Sequence, residues 1–168
     1  MTTIADYDPT WPTQYAEMAA HLHPILGDPI EHIGSTAVPG LAAKPVIDIA
    51  AAPDRPVDDQ ALAALGFQHN PHGPPGRRTY TRVVDGVLTH NLHVFPTPAW
   101  PELNQRLLRD HLRATPEAVR RYAALKRQLA AEGLTGFDYT KAKTDLIQEL
   151  TDTARAHHGL PSVPVWES

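Results

Sequence analysis

Two short β-rich runs, residues 30–33 and 45–51, are joined by a loop of small residues from Gly34 to Gly40, and one carboxylate, Asp48, interrupts the second run. Runs rich in Val and Ile and bounded by Gly and Pro read as strands, so this stretch predicts a strand, a glycine loop and a second strand. A carboxylate among Val46, Ile47, Ile49 and Ala50 is costly to bury alone. Asp48 is therefore expected at a wet strand end, in an ion pair or on a cation. The Gly34-Ser35-Thr36 turn can present backbone N–H groups and hydroxyls to a phosphate, because glycine lets the backbone approach closely.

Around this unit the chain alternates helical and extended patterns. Apolar residues at three- and four-residue spacing predict a helix over 13–26, with Thr10 as its cap and Pro24 as a point where it ends or kinks. Leu41-Ala42-Ala43 reads as a brief helical turn, and residues 57–65 as a helix stopped by Gly66. Residues 70–76, rich in Pro and Gly, read as an exposed loop. Asp85-Gly86 between residues 78–84 and 87–95 is a strong hairpin signal. Strand alternation then puts Leu88, His90, Leu92 and Val94 on one face of the second arm and Thr89, Asn91, His93 and Phe95 on the other, a polar wall for a site. On the first arm Arg78, Tyr80 and Arg82 share a face. Helices are expected over 100–113, 116–132 and 140–157, the middle one capped by Thr115 and the last by Asp138 or Thr140. The fold class expected is α+β, a mixed sheet with flanking helices and a C-terminal helical region, in one domain over 1–158 with a Pro-containing tail over 159–168.

The absence of Cys excludes disulfides, thiolate zinc sites and a Cys nucleophile. Fifteen Lys and Arg against nineteen Asp and Glu give a net charge of -4, which argues against a broad nucleic-acid footprint and for a small anionic ligand or a protein partner. With no apolar stretch near the ~20 residues that span a bilayer and no signal-like N-terminus, no membrane partner and a cytoplasmic location are expected. Among the histidines, His32, His90 and His93 read first as hydrogen-bonded structural groups, with His93 the best acid/base candidate. Arg109 and Asp110 read as structural ion-pair partners.

The segment from His32 to Ile49 closely resembles the signature of the GrpB family. Tyr7-Asp8-Pro9-Thr10-Trp11, His93-Val94-Phe95, the helix with Leu108-Arg109-Asp110-His111-Leu112-Arg113, and then Tyr122, Lys126, Tyr139 and Lys143 follow in family order, over roughly residues 7–156. That family resembles a branch of the DNA polymerase beta-type nucleotidyltransferase fold. The resemblance implies a nucleoside triphosphate at the Gly34-Ser35-Thr36 turn and magnesium or manganese on Asp48, with paired carboxylates following two-metal logic. Position 50, where the second carboxylate belongs, is Ala, and residues 89–95 offer His90, Asn91 and His93 in place of a third.

The reading that follows is a nucleotidyltransferase-like transferase acting on a small molecule. Asp48 and His93 are its catalytic candidates, and Gly34, Ser35, Thr36, Lys44, Arg82, Lys126, Tyr139 and Lys143 its ligand-binding ones. Two alternatives stand beside it: a catalytically degenerate ligand-binding or interaction module, and a biosynthetic enzyme that reuses the pocket for other chemistry.

Overall fold

In the computed structural model, which describes residues 3–133 and 136–165, five strands make one mixed sheet. They are β1 (Ile30–Ile33), β2 (Ile47–Ala51), β3 (Phe67–Asn70), β4 (Arg78–Val84) and β5 (Val87–Val94), in the spatial order β1-β2-β5-β4-β3. Only β2 and β5 run parallel; the other neighbours are antiparallel. Because strand side chains alternate, Ile47, Ile49, Tyr80, Leu92 and Val94 face one side. There they pack on Trp11, Leu22 and Leu26 of α1 (Trp11–Leu26) and Leu62 of α2 (Asp59–Ala64).

The other side of the sheet carries Asp48, Ala50, Thr79, Asn91 and His93 and is only partly covered. Ile33, Ala50, Phe95 and Leu103 close one end of it as a small apolar cluster. Helices α3 (Asn104–Ala114), α4 (Pro116–Ala131) and α5 (Gly136–His157) build a second core from Leu112, Ala118, Tyr122, Ile147 and Leu150. Val38 and Leu41 of the glycine loop insert into that core, so the loop is clamped between sheet and helices. A cleft remains between them. After α5 the chain lies against the same helix, with Arg155 Nε donating to Pro161 O at 2.6 Å and Val165 N to Gln148 Oε1 at 3.0 Å. No helix of the described residues is long and apolar enough to cross a membrane.

Several local expectations are corrected. Asp8, not Thr10, organises the start of α1: its carboxylate accepts from Thr10 N and Thr10 Oγ1 at 2.8 and 2.7 Å, and Thr10 itself is already helical. Pro24 falls in the last turn and α1 runs on to Leu26. The helical turn comes earlier than expected, as a 3-10 turn at Ser35–Ala37, while Ala43 instead bridges to Ala5. Residues 97–102 form a separate 3-10 segment ahead of α3, and Thr115 makes no side-chain cap. Asp58, by contrast, caps α2 through Gln60 N and Ala61 N. The side chains of Asp138 and Thr140 lie outside the described residues.

The strand Phe67–Asn70 has too little alternation to announce itself; it exists as an edge strand because β4 offers it a partner. In β5 a bulge opposite Arg82/Val83 leaves Thr89 extra, since Arg82 pairs with His90 but Val83 with Leu88. The bulge breaks the alternation. Leu88 therefore turns toward the cleft, and Thr89 bonds back to Arg82 O at 3.2 Å.

Candidate functional site

The cleft encloses about 430 Å³. Its floor is the open face of β2, β4 and β5, one wall is the glycine loop, another is α3 to α5, and the loop of residues 70–77 forms its roof. Gly34 leaves β1 at φ 77° and ψ −175°, a conformation nearly confined to glycine, and an added Cβ there would sit 2.7 Å from Asp48 Oδ2. Two independent constraints thus demand glycine. The 3-10 turn that follows is fixed from outside by Arg113 Nε, which donates to Ala37 O at 2.9 Å.

Lys126, only 4% exposed, reaches from α4 to donate to Ser35 Oγ at 2.5 Å and to Ala42 O at 3.4 Å, and it lies 4.5 Å from the centre of the Tyr122 ring. Lys44 and Lys143 stand 5.4 and 5.2 Å from the centre of the Tyr139 ring, so that ring collects two ammonium groups at one side of the cleft. Burial raises the Tyr139 phenol, which keeps it protonated. Arg77 enters from the roof and lies 5.3 Å from the Phe95 ring centre. Among the described residues lining the cleft, Asp48 is the one carboxylate, and Lys44, Arg77, Arg109, Lys126 and Lys143 are the cations. In a chain of net charge -4, five of the fifteen Lys and Arg line this cleft beside that single carboxylate.

Asp48 stands in register with Asn91 across the parallel pair, and Ala50 with His93. His93 Nε2 lies 3.3 Å from Asp48 Oδ1. Since a carboxylate only accepts, Nε2 carries a proton, and in the neutral ring Nδ1 is left with its lone pair. His93 Nδ1 and Thr79 Oγ1 are both buried with no hydrogen-bond partner among the described residues.

His32 plays a different part. Its Nε2 is 2.9 Å from Thr36 Oγ1, whose own proton goes to Val46 O at 3.4 Å, and its ring stacks on Tyr15 at 4.8 Å. Burial dominates the attraction of Asp48 and, with repulsion from Arg113 and Arg109 added, holds it at about 4, so it is neutral and structural near pH 7. Behind it Arg109 donates to Glu31 Oε1 at 2.7 Å, to His32 O at 3.1 Å and to Asp110 at 2.9 Å. This network pins α3 to β1. Burial raises the Glu31 carboxyl, but the bonds and charges of Arg106 and Arg109 outweigh that and bring it below its usual range.

The structure brings Gly34, Ser35, Thr36, Lys44, Asp48, His93, Lys126, Tyr139 and Lys143 around one cleft. Arg82 is not with them. It points through the opposite face, donates to Leu65 O at 2.9 Å, and borders a separate hollow with Glu17, His21 and His90. The alternation that joined it to Arg78 and Tyr80 also turns it away. Arg77 and Thr79 of the cleft escaped the sequence reading, while Asn91 lies on the polar face of the hairpin that reads as a site wall.

The donor set does not fit a magnesium or manganese pair. Ala50 is fully buried in the cluster with Ile33, Phe95 and Leu103, and no group of three or more His, Cys, Asp or Glu among the described residues could hold a metal.

The family model described as "GrpB protein" matches residues 1–153. The chain belongs to the GrpB family. Its similarity to a UPF0157 protein of Pseudomonas aeruginosa is 37% identity over 89% of this chain, although the chain spans only 66% of that relative. A UPF0157 protein of Halalkalibacterium halodurans is 35% identical over 92% of this chain and 83% of its own length. The crystal structure of GrpB from Enterococcus faecalis superposes with a TM-score of 0.79 at 28% identity, covering 94% of this chain and 99% of that one. The α+β sheet with flanking helices is thus shared within the GrpB family.

Proposed function

We propose that this GrpB-family protein is a transferase-type enzyme that binds a nucleotide or another small phosphate-bearing molecule at the Gly34-Ser35 turn, with the Asp48–His93 pair handling a proton beside it. The observation that carries this reading is one carboxylate–imidazole pair in a cleft whose other charged walls are Lys44, Arg77, Arg109, Lys126 and Lys143. The buried ammonium groups of Lys126 and Lys143 neutralise phosphate charge far better than solvated ones, and Ser35, already oriented by Lys126, supplies a hydroxyl at the glycine turn. Asp48 fixes the His93 ring so that Nδ1 can accept a proton, as an orienting carboxylate does for a base.

Titration calorimetry with pyrophosphate and the four nucleoside triphosphates, with and without magnesium or manganese, tests the binding half. Lys126→Met and the more exposed Lys44→Gln should each weaken binding about 10-fold or more, as loss of a charged hydrogen bond does. If no phosphate compound binds, the proposal is wrong. A second reading, a binding module without turnover, is favoured by Ala50, because the superfamily's second carboxylate position is sealed in an apolar cluster. Asp48→Asn separates the two. It abolishes turnover with binding retained in an enzyme, whereas in a module the unaltered protein turns over nothing.

A further inference from the structure

Thr79 on β4 and His93 on β5 are direct partners in the antiparallel register, and both side chains face the cleft. Both are more than nine-tenths buried, at 5% and 7% exposure. Buried polar atoms are nearly always satisfied, yet Thr79 Oγ1 and His93 Nδ1 have no partner among the described residues. Their roles are complementary. Asp48 accepts the hydrogen bond from Nε2–H, so Nδ1 of the neutral ring needs a donor, while the Thr79 hydroxyl has a proton to give. Directly opposed strand residues hold their Cβ atoms ~4.5–5.5 Å apart, close enough for one oxygen to meet both groups.

The roof keeps this place small. Asn70 makes a tight turn, accepting from His72 N through Oδ1 at 3.0 Å and from Gly73 N through its carbonyl at 3.3 Å. That turn sets Gly73 so closely on Thr79 that a Cβ at position 73 would fall 2.6 Å from Oγ1. The roof glycine therefore closes on the hydroxyl from above.

We infer that Thr79 Oγ1 and His93 Nδ1 form a subsite for one hydroxyl group of a phosphate-bearing polyol, the hydroxyl donating to Nδ1 and accepting from Thr79. The inference rests on the phosphate-binding reading of the same cleft and narrows its ligand to the sugar-phosphate class, which includes the ribose of a nucleotide. Thr79 is a specificity residue in this scheme, and His93 Nδ1 the atom that meets the hydroxyl.

Three measurements test it. Thr79→Val removes the hydroxyl and keeps the branched shape; it should weaken ribose 5-phosphate or ATP about 5–10-fold and leave pyrophosphate within twofold of the unaltered protein. Equal weakening of all three, or no preference of the unaltered protein for the hydroxyl-bearing phosphates over pyrophosphate, overturns the subsite. Because Thr79 Oγ1 makes no hydrogen bond among the described residues, Thr79→Val should melt no lower than the parent protein; a lower melting temperature means a structural hydroxyl, bridged by water, and refutes the assignment. Long-range nitrogen NMR of the ligand-free protein reads the His93 tautomer directly. A proton on Nδ1 overturns the subsite and a bare Nδ1 supports it, including where pyrophosphate fails to bind and the parent reading falls.

Discussion

Replacing Gly34 by Ala concentrates the physics of the site in one methyl group. The backbone there, at φ 77° and ψ −175°, costs a residue with a Cβ about 1–3 kcal/mol. The methyl would also lie 2.7 Å from Asp48 Oδ2 and 3.1 Å from Asp48 Cβ, so the carboxylate must swing away from His93 and give up a charged hydrogen bond worth about 1–3 kcal/mol. Together the expected loss is about 2–6 kcal/mol, or roughly 5–20 °C in melting temperature for a chain of this size. Gly40 is the internal control. It also has positive φ, at 82°, but none of the described residues lies within 4 Å of the place a methyl would take, so Gly40→Ala should cost only the backbone part, about 1–2 kcal/mol. Urea unfolding of both variants, and of Gly34→Ala in an Asp48→Ala background, separates the two contributions. The double-mutant cycle should show coupling of about 1 kcal/mol or more. If Gly34→Ala costs no more than Gly40→Ala and does not couple to Asp48, the glycine is not there to make room for the carboxylate.

Acid should destabilise the fold through His32. Its folded-state value of about 4 lies below the ordinary 6.5, so the unfolded chain takes up the proton first; the contribution is fully present above 6.5, is lost as pH falls from there to about 4, and totals about 3 kcal/mol. Urea titrations from pH 7 to 4.5 should show this decline, and His32→Gln should flatten it. Ala50→Asp, which restores the second carboxylate in sequence, should lower stability by about 3 kcal/mol or more, because the new charge enters a fully buried apolar cluster; an unchanged melting temperature would contradict that placement. Arg82→Gln should leave pyrophosphate affinity unaltered while costing about 1 kcal/mol from the lost bond to Leu65 O, measured by calorimetry and urea unfolding.

How far the site could be read from sequence follows from where its constraints reside. Gly34, Ser35 and Asp48 are legible because a glycine turn and a lone carboxylate in an apolar strand contradict their surroundings. Lys126, Tyr139 and Lys143 came only through family likeness, since a cation on a helix face looks solvated until the neighbouring core is known; Lys126 is in fact buried on Ser35. Alternation told that Arg82 and Thr79 lie on opposite faces of β4. It could not tell which face meets the cleft, because that depends on β5 pairing in parallel with β2. Leu88 and Thr89 exchanged roles for a local reason, the one-residue bulge, which leaves no mark in composition.

The parallel junction of β2 with β5 has a kinetic meaning as well. Asp48 meets His93 across 45 residues and Ser35 meets Lys126 across 91, so both contacts close long loops. Loop closure must come before such contacts stabilise anything, and the strands that carry them are joined late relative to the β4–β5 hairpin, which needs only a two-residue turn. A nascent chain ending before residue 87 lacks the strand that completes the carboxylate–imidazole pair, and one ending before residue 126 still lacks the lysine on Ser35. Assembly of the cleft is therefore a report that nearly the whole chain has folded.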